Sequence, residues 1–231
     1  LLHLKNQIVM NPTSEEIKKQ EIVDQLAWND SVNANDVTVT VKGNTVMLEG
    51  SVPAYAAKKA AEEEAYLVGG ITSVENMLEV VFPPEFTLPT DEEIKSNVEV
   101  RLLWNNQINA SKIIVETDEG FVTLSGEVES YWEKILAEDI ATSTQGVVGV
   151  INKLLVMPRK TSIDIDIEND IKKAYQRSAL VDENAIEVSV KDGVVRLTGE
   201  VPFFVMKKEA LDIAFYTSGV IDIVDDISIG V

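Results

Sequence analysis

The chain has 231 residues and a formal charge of −19, from 20 Lys+Arg against 39 Asp+Glu. It holds no cysteine and one histidine, His3, which excludes disulfide scaffolds, thiolate metal centres and a cysteine nucleophile and would force a Ser–His triad to use the third residue of the chain. The acidic excess argues against nucleic-acid binding, which needs a basic surplus, while 45% hydrophobic and 26% charged residues describe a folded chain rather than a disordered acidic one.

Residues 1–12 read as an N-terminal leader or extension, with Met10 a candidate natural start. The segment is too polar for the apolar stretch of a signal peptide. No run approaches the length of continuous apolar sequence that a membrane-spanning helix needs, so none is expected.

From Thr13 onward one pattern occurs three times. An amphipathic helix comes first, with Ile17, Ile22, Val23 and Leu26 on one face, and Ile94, Val98 and Leu102 in the second copy. Thr13 or Ser14 before Glu15-Glu16, and Thr90 before Asp91-Glu92-Glu93, predict hydroxyl N-caps followed by acids at the positive end of the helix dipole. A strand such as Val37-Thr38-Val39-Thr40-Val41 follows, alternating as a half-buried face requires. Tight turns come next: Lys42-Gly43-Asn44, Asp118-Glu119-Gly120 and Lys191-Asp192-Gly193. A second strand carries Val46, Leu48 and Val52, or Val122, Leu124 and Val128, or Val195, Leu197 and Val201.

Gly50, Gly126 and Gly199 fall on the apolar phase of that second strand. Ala61 and Ala65, Ala137 and Ala141, and Ala210 and Ala214 lie eleven and fifteen residues later, on one face of a second helix. The missing side chain is expected to let this alanine stripe press against the strand. Pro53, the capping pair Ser130 and Glu133, and Pro202 mark the helix start. Gly70, Gly146 and Gly219 follow it, each twenty residues after the strand glycine, and a last strand comes after them.

The unit is therefore α-β-β-α-β, and the fold class α+β: three tandem units, each a three-stranded mixed sheet packed by two helices, with the last strand parallel to the second. The expected domains are 13–82, 90–158 and 163–231. They are joined by the proline-bearing connectors Phe82–Pro89 and Met157–Ser162.

These motifs resemble the BON (bacterial OsmY and nodulation) domain. The second copy carries the pattern as Val122, Leu124, Gly126, Val128, Ala137, Ala141, Gly146, Val147, Val150, Asn152, Leu154 and Val156. The third copy departs from it with Asp225 in place of Asn76 and Asn152, and has Arg177 in place of Trp28 and Trp104. The resemblance implies a bacterial, OsmY-like, osmotic-stress or envelope protein that is not an enzyme and needs no cofactor. It implies a module for phospholipid membranes or an envelope protein partner, in the periplasm. The visible sequence shows no signal peptide, which leaves the cytoplasm as the alternative. A scaffold that pairs proteins through sheet edges or aromatic helix starts is the competing function, and homo-oligomerisation stays open.

Rings and lysines cluster where each second helix begins: Tyr55, Lys58 and Lys59; Tyr131, Trp132 and Lys134; Phe203, Phe204, Lys207 and Lys208. A ring beside an ammonium suits an interfacial lipid contact. Rings covering the core with solvated lysines is the commoner arrangement and the favoured reading. The third copy is the strongest candidate for contact, since adjacent Phe203 and Phe204 cannot both turn inward easily. Trp28 and Trp104 are read as packing over the sheet edge in preference to anchoring a partner. Asn76, Asn152 and Asp225 fall on the apolar phase of the last strand, and each is expected to bond backbone at a strand start or turn. The acidic runs at Glu62–Glu64, Asp164–Asp170 and Asp222–Asp226 lack a calcium-loop pattern and are read as solvated faces, with no metal site.

Overall fold

Thr13 and Thr90 cap two of the helices as their hydroxyls predict, in a computed structural model that describes residues 13–32, 34–158 and 163–230. Each threonine accepts from the third helical N–H, while Glu16 or Glu93 reaches back to the threonine N–H at 2.6 or 2.8 Å. The bond from the Thr13 N–H holds the Glu16 carboxyl below its ordinary value. The leader at 1–12, His3 and Met10 lie outside the described residues, as do Asn33 and residues 159–162.

The first unit runs α1 (Ser14–Trp28), β1 (Val37–Lys42), β2 (Thr45–Val52), α2 (Tyr55–Tyr66), β3 (Ser73–Asn76) and β4 (Glu79–Val80). The second runs α3 (Asp91–Trp104), β5 (Ile113–Asp118), β6 (Phe121–Val128), α4 (Tyr131–Thr142), β7 (Gly149–Asn152) and β8 (Leu155–Val156). The third runs α5 (Asp164–Arg177), β9 (Ile186–Lys191), β10 (Val194–Val201), α6 (Phe204–Phe215) and β11 (Asp222–Ile229). In each, the long second strand is central, antiparallel to the first and parallel to the last. The last strand of the first two units is interrupted after Asn76 and Asn152 and resumes in the same register. The unit is thus the α+β layer that the sequence predicts.

Three separate cores form, one per unit. All six alanines of the second helices are fully buried. The strand glycines have a different reason from the expected one. A Cβ on Gly50, Gly126 or Gly199 would run into the carbonyl oxygen of Asp36, Lys112 or Ala185. The close approach therefore comes from the backbone at the start of the neighbouring first strand, not from the alanine stripe. Gly50 and Gly126 also have φ of 112° and 107°, which a side chain disfavours. Alternation identifies which residues share a face, but not which neighbour comes closest.

First-turn acids do structural work here. Asp91 accepts the N–H groups of Glu119 and Gly120, both 2.9 Å away. Asp164 accepts those of Asp192 and Gly193 at 2.8 and 2.9 Å. Each carboxylate closes a hairpin whose two central residues have positive φ.

Candidate binding surfaces

The second helices α2, α4 and α6 meet one another. Five residues after the strand glycine stand Tyr55, Tyr131 and Phe204; sixteen after it stand Tyr66, Thr142 and Phe215. Phe204 of the third unit stacks on Tyr66 of the first, with ring centroids 4.7 Å apart and planes at 16°. Tyr131 of the second meets Phe215 of the third edge-on, at 6.0 Å and 84°. Tyr55 of the first packs against the core of the second. The start of one second helix therefore abuts the next unit, and the three junctions close a ring.

Ion pairs follow the same circuit. Lys59 Nζ lies 3.1 Å from Glu138, and Lys208 Nζ lies 3.6 Å from Glu63. Burial pulls the Lys59 ammonium down, but the Glu138 charge and hydrogen bond outweigh it, so the net shift is upward. Two carboxyls on these helices, Asp139 and Asp212, are pushed up by burial.

Lys58, Lys134 and Lys207 share the position eight residues after the strand glycine. Asn76 and Asn152 donate to the Lys58 and Lys134 carbonyls at 2.8 Å, and to Glu62 and Glu138 at 3.2 Å. Their own oxygens accept the N–H groups of Leu78 and Leu154. Asp225 has no amide to donate, and in the third unit Lys207 itself swings in, 2.7 Å from Asp225 and 2.7 Å from the Ile227 carbonyl. Two kinds of backbone are therefore used. The Asn76 and Asn152 amides reach the second helix, which the sequence does not suggest. The side-chain oxygens of Asn76, Asn152 and Asp225 accept the N–H two residues on in the last strand, near the strand-start backbone that it does.

The candidate contact residues are thus divided. Tyr55, Lys59, Tyr131, Phe204 and Lys208 join units; Lys207 locks its own. Lys134 sits 5.8 Å from the Tyr131 ring centroid. Trp132 and Lys58 are half-buried, and Phe203 is exposed beside the stacked Phe204. The small core of a unit this size makes contacts between units plausible from sequence. Which residues form them is not legible there, because a helix face covered by a second unit has the same pattern as one covered by lipid.

The tryptophans correct the favoured packing. Trp28 and Trp104 end α1 and α3 at 85% and 82% exposure. Asn29 and Asn105 follow in extended conformation, so the chain turns away and leaves each indole uncovered. On α3, Val100, Leu103 and Trp104 form an exposed apolar stripe at the i, i+3, i+4 spacing of one helical face. The matching positions are Asp24, Ala27 and Trp28 on α1, and Lys173, Gln176 and Arg177 on α5. The spacing itself is the signal that could have found the stripe, since these residues fall off the face marked by Ile94, Val98 and Leu102.

Among the described residues, no group of three or more His, Asp or Glu side chains is placed to hold a metal ion. No helix among them is long and apolar enough to cross a membrane.

The family model of the BON domain matches residues 14–81, 90–158 and 164–230. Osmotically-inducible protein Y of Escherichia coli (strain K12) is 32% identical over 132 residues, which are 56% of this chain and 66% of that protein. The match therefore spans just under two thirds of the relative's length. Among solved structures, the C-terminal domain of CdsD, the structural protein of the type III secretion system of Chlamydia trachomatis, is 13% identical with a TM-score of 0.26, covering 92% of this chain and 96% of that one. The PrgH periplasmic domain is 10% identical with a TM-score of 0.22, covering 90% of this chain and all of its own. Scores this low carry no argument about arrangement or role.

Proposed function

For a chain that belongs to the BON domain family in all three of its units, we propose a non-enzymatic binding role in a bacterial osmotic-stress or envelope system, in the periplasm, with a phospholipid surface as the partner. The similarity to osmotically-inducible protein Y supports the setting. The observation that carries the lipid reading is the exposed triplet Val100, Leu103 and Trp104, with Trp28 at the equivalent helix end. An amphipathic helix face of this kind buries its indole and aliphatic carbons at the headgroup boundary. The net charge of −19 opposes any general attraction to anionic lipid. Contact is therefore local and mainly apolar.

Vesicle flotation tests this. The protein floats with phosphatidylcholine vesicles, and added anionic lipid does not strengthen the association. Leu103→Ala/Trp104→Ala lowers the floated fraction severalfold, whereas Phe203→Ala changes it less. No flotation on either lipid would overturn the membrane role in favour of a protein scaffold. Unchanged flotation of the double variant would overturn the assignment to α3.

A further inference from the structure

We propose that the junction between the first and second units is a binding seat for a small aromatic molecule bearing one hydrogen-bonding substituent. The ring of second helices supplies the comparison. Two of its three junctions hold a pair of aromatic rings, Phe204 with Tyr66 and Tyr131 with Phe215. At the third, Tyr55 packs on the second unit, but Thr142 stands where the other units have Tyr66 and Phe215. One ring of the pair is missing from the chain.

Space is left beside Thr142 instead. A cavity of about 370 Å³ lies between the start of α2 and the segment that follows α4. The corresponding residues at the Phe204–Tyr66 junction enclose only about 110 Å³. The larger volume lies within the range of small-molecule sites, roughly 300–1,000 Å³.

Its walls are suited to a flat ring. The connector after the first unit places Phe82 and Phe86 in the lining, stacked with centroids 5.4 Å apart. Pro53, Ala54, Ala56, Pro83 and Val147 complete the apolar surface. A planar guest can extend the Phe82–Phe86 stack, which a linear chain cannot do equally well.

One buried polar group of the lining, the Thr142 hydroxyl, makes no hydrogen bond. Thr142 is 7% exposed. The adjacent hydroxyls are already used: Ser143 and Thr144 each donate to the Ile140 carbonyl and accept from the Arg101 guanidinium. A buried hydroxyl without a partner is uncommon and costly. Thr142 lines the cavity, and a turn about its χ1 would bring the hydroxyl to a phenol O–H or an indole N–H while the ring filled the space.

Calorimetric titration of the intact chain with indole, phenol and n-hexanol tests the proposal. Indole and phenol bind saturably with one site per chain, and n-hexanol binds more weakly. Thr142→Phe supplies the missing ring from within the chain, as Tyr66 and Phe215 do in the other units. It lowers indole affinity by at least about tenfold, as expected when a ring-sized site is filled, without lowering the melting temperature. Phe86→Ala removes one wall and weakens indole in a variant whose three cores are untouched. The proposal is overturned if indole shows no saturable binding up to about 1 mM, the weak end of measurable affinity. It is equally overturned if n-hexanol matches indole, or if indole binds both variants as it binds the parent.

Discussion

In the second unit Asn152 holds the start of α4 through the carbonyl of Lys134; in the third, Asp225 holds the start of α6 through the ammonium of Lys207. The exchange of one donor for one acceptor runs through the surroundings. The residue twelve after the strand glycine is Glu62 or Glu138 where the strand carries Asn, and Leu211 where it carries Asp. A glutamate there accepts from an amide N–H, but beside Asp225 it would set two carboxylates together. The comparison teaches that the latch position is defined by geometry and filled by whichever pairing balances charge.

Asn152→Asp should break the comparison most severely. The new carboxylate would face the Lys134 carbonyl and Glu138 with no hydrogen to offer. Even if Lys134 turned in as Lys207 does, the two carboxylates would stand together. Stability should therefore fall by about 2–3 kcal/mol, the scale of a poorly compensated charge in a partly buried site. Equilibrium denaturation measures this; a loss below about 1 kcal/mol, that of an ordinary neutral hydrogen bond, would show that the site accommodates either residue.

Next in size is the pair Lys207→Met and Lys134→Met. The first strips Asp225 of its cation and should cost about 1–2 kcal/mol, while the second leaves the backbone carbonyl in place and should cost less than about 0.5 kcal/mol. Equal effects would mean that Lys207 acts through its aliphatic stem rather than its charge.

The smallest effect sharpens a second contrast, between latches within units and contacts between them. Burial raises the Asp139 carboxyl, opposed by Lys59, aided by Glu138 and Glu63, and opposed again by Lys208. A carboxyl raised on folding favours the folded state when protonated. That contribution is complete below its unfolded value, near about pH 4, and is lost as the pH rises through the folded one. Asp139→Asn should therefore raise the melting temperature modestly at pH 7 and leave it unchanged at about pH 3. The same gain at both pH values would assign the effect to packing instead.

Much of each unit was legible in the sequence for identifiable reasons. Thr13 and Thr90 announce helix starts because a hydroxyl followed by acids satisfies orphan N–H groups. Val46 and Leu48 announce a strand because side chains alternate across a sheet. The alanines Ala137 and Ala141 announce a buried helix face. What lay beyond the sequence is relational. Tyr55, Lys59 and Phe204 form a ring–lysine cluster whose covering partner is another unit, and no local pattern distinguishes that from solvent or lipid. Trp104 misled in the opposite direction, since a large apolar residue at a helix end is covered only if the chain beyond it folds back. The residues that bear most on function are those whose environment is set by distant parts of the chain.

Each unit offers the beginning of its second helix to a neighbour and receives the beginning of another at its own end, so the contact has a direction. A directional contact repeated among separate molecules either closes or grows without limit. Here three units on one polypeptide spend the beginning and end of each second helix on each other, and among the described residues no contact of this kind is left open. Removing a terminal unit would free one of each, complementary and on the same molecule. The count of three is thus what makes the assembly self-terminating, and a two-unit fragment is where head-to-tail polymers should first appear.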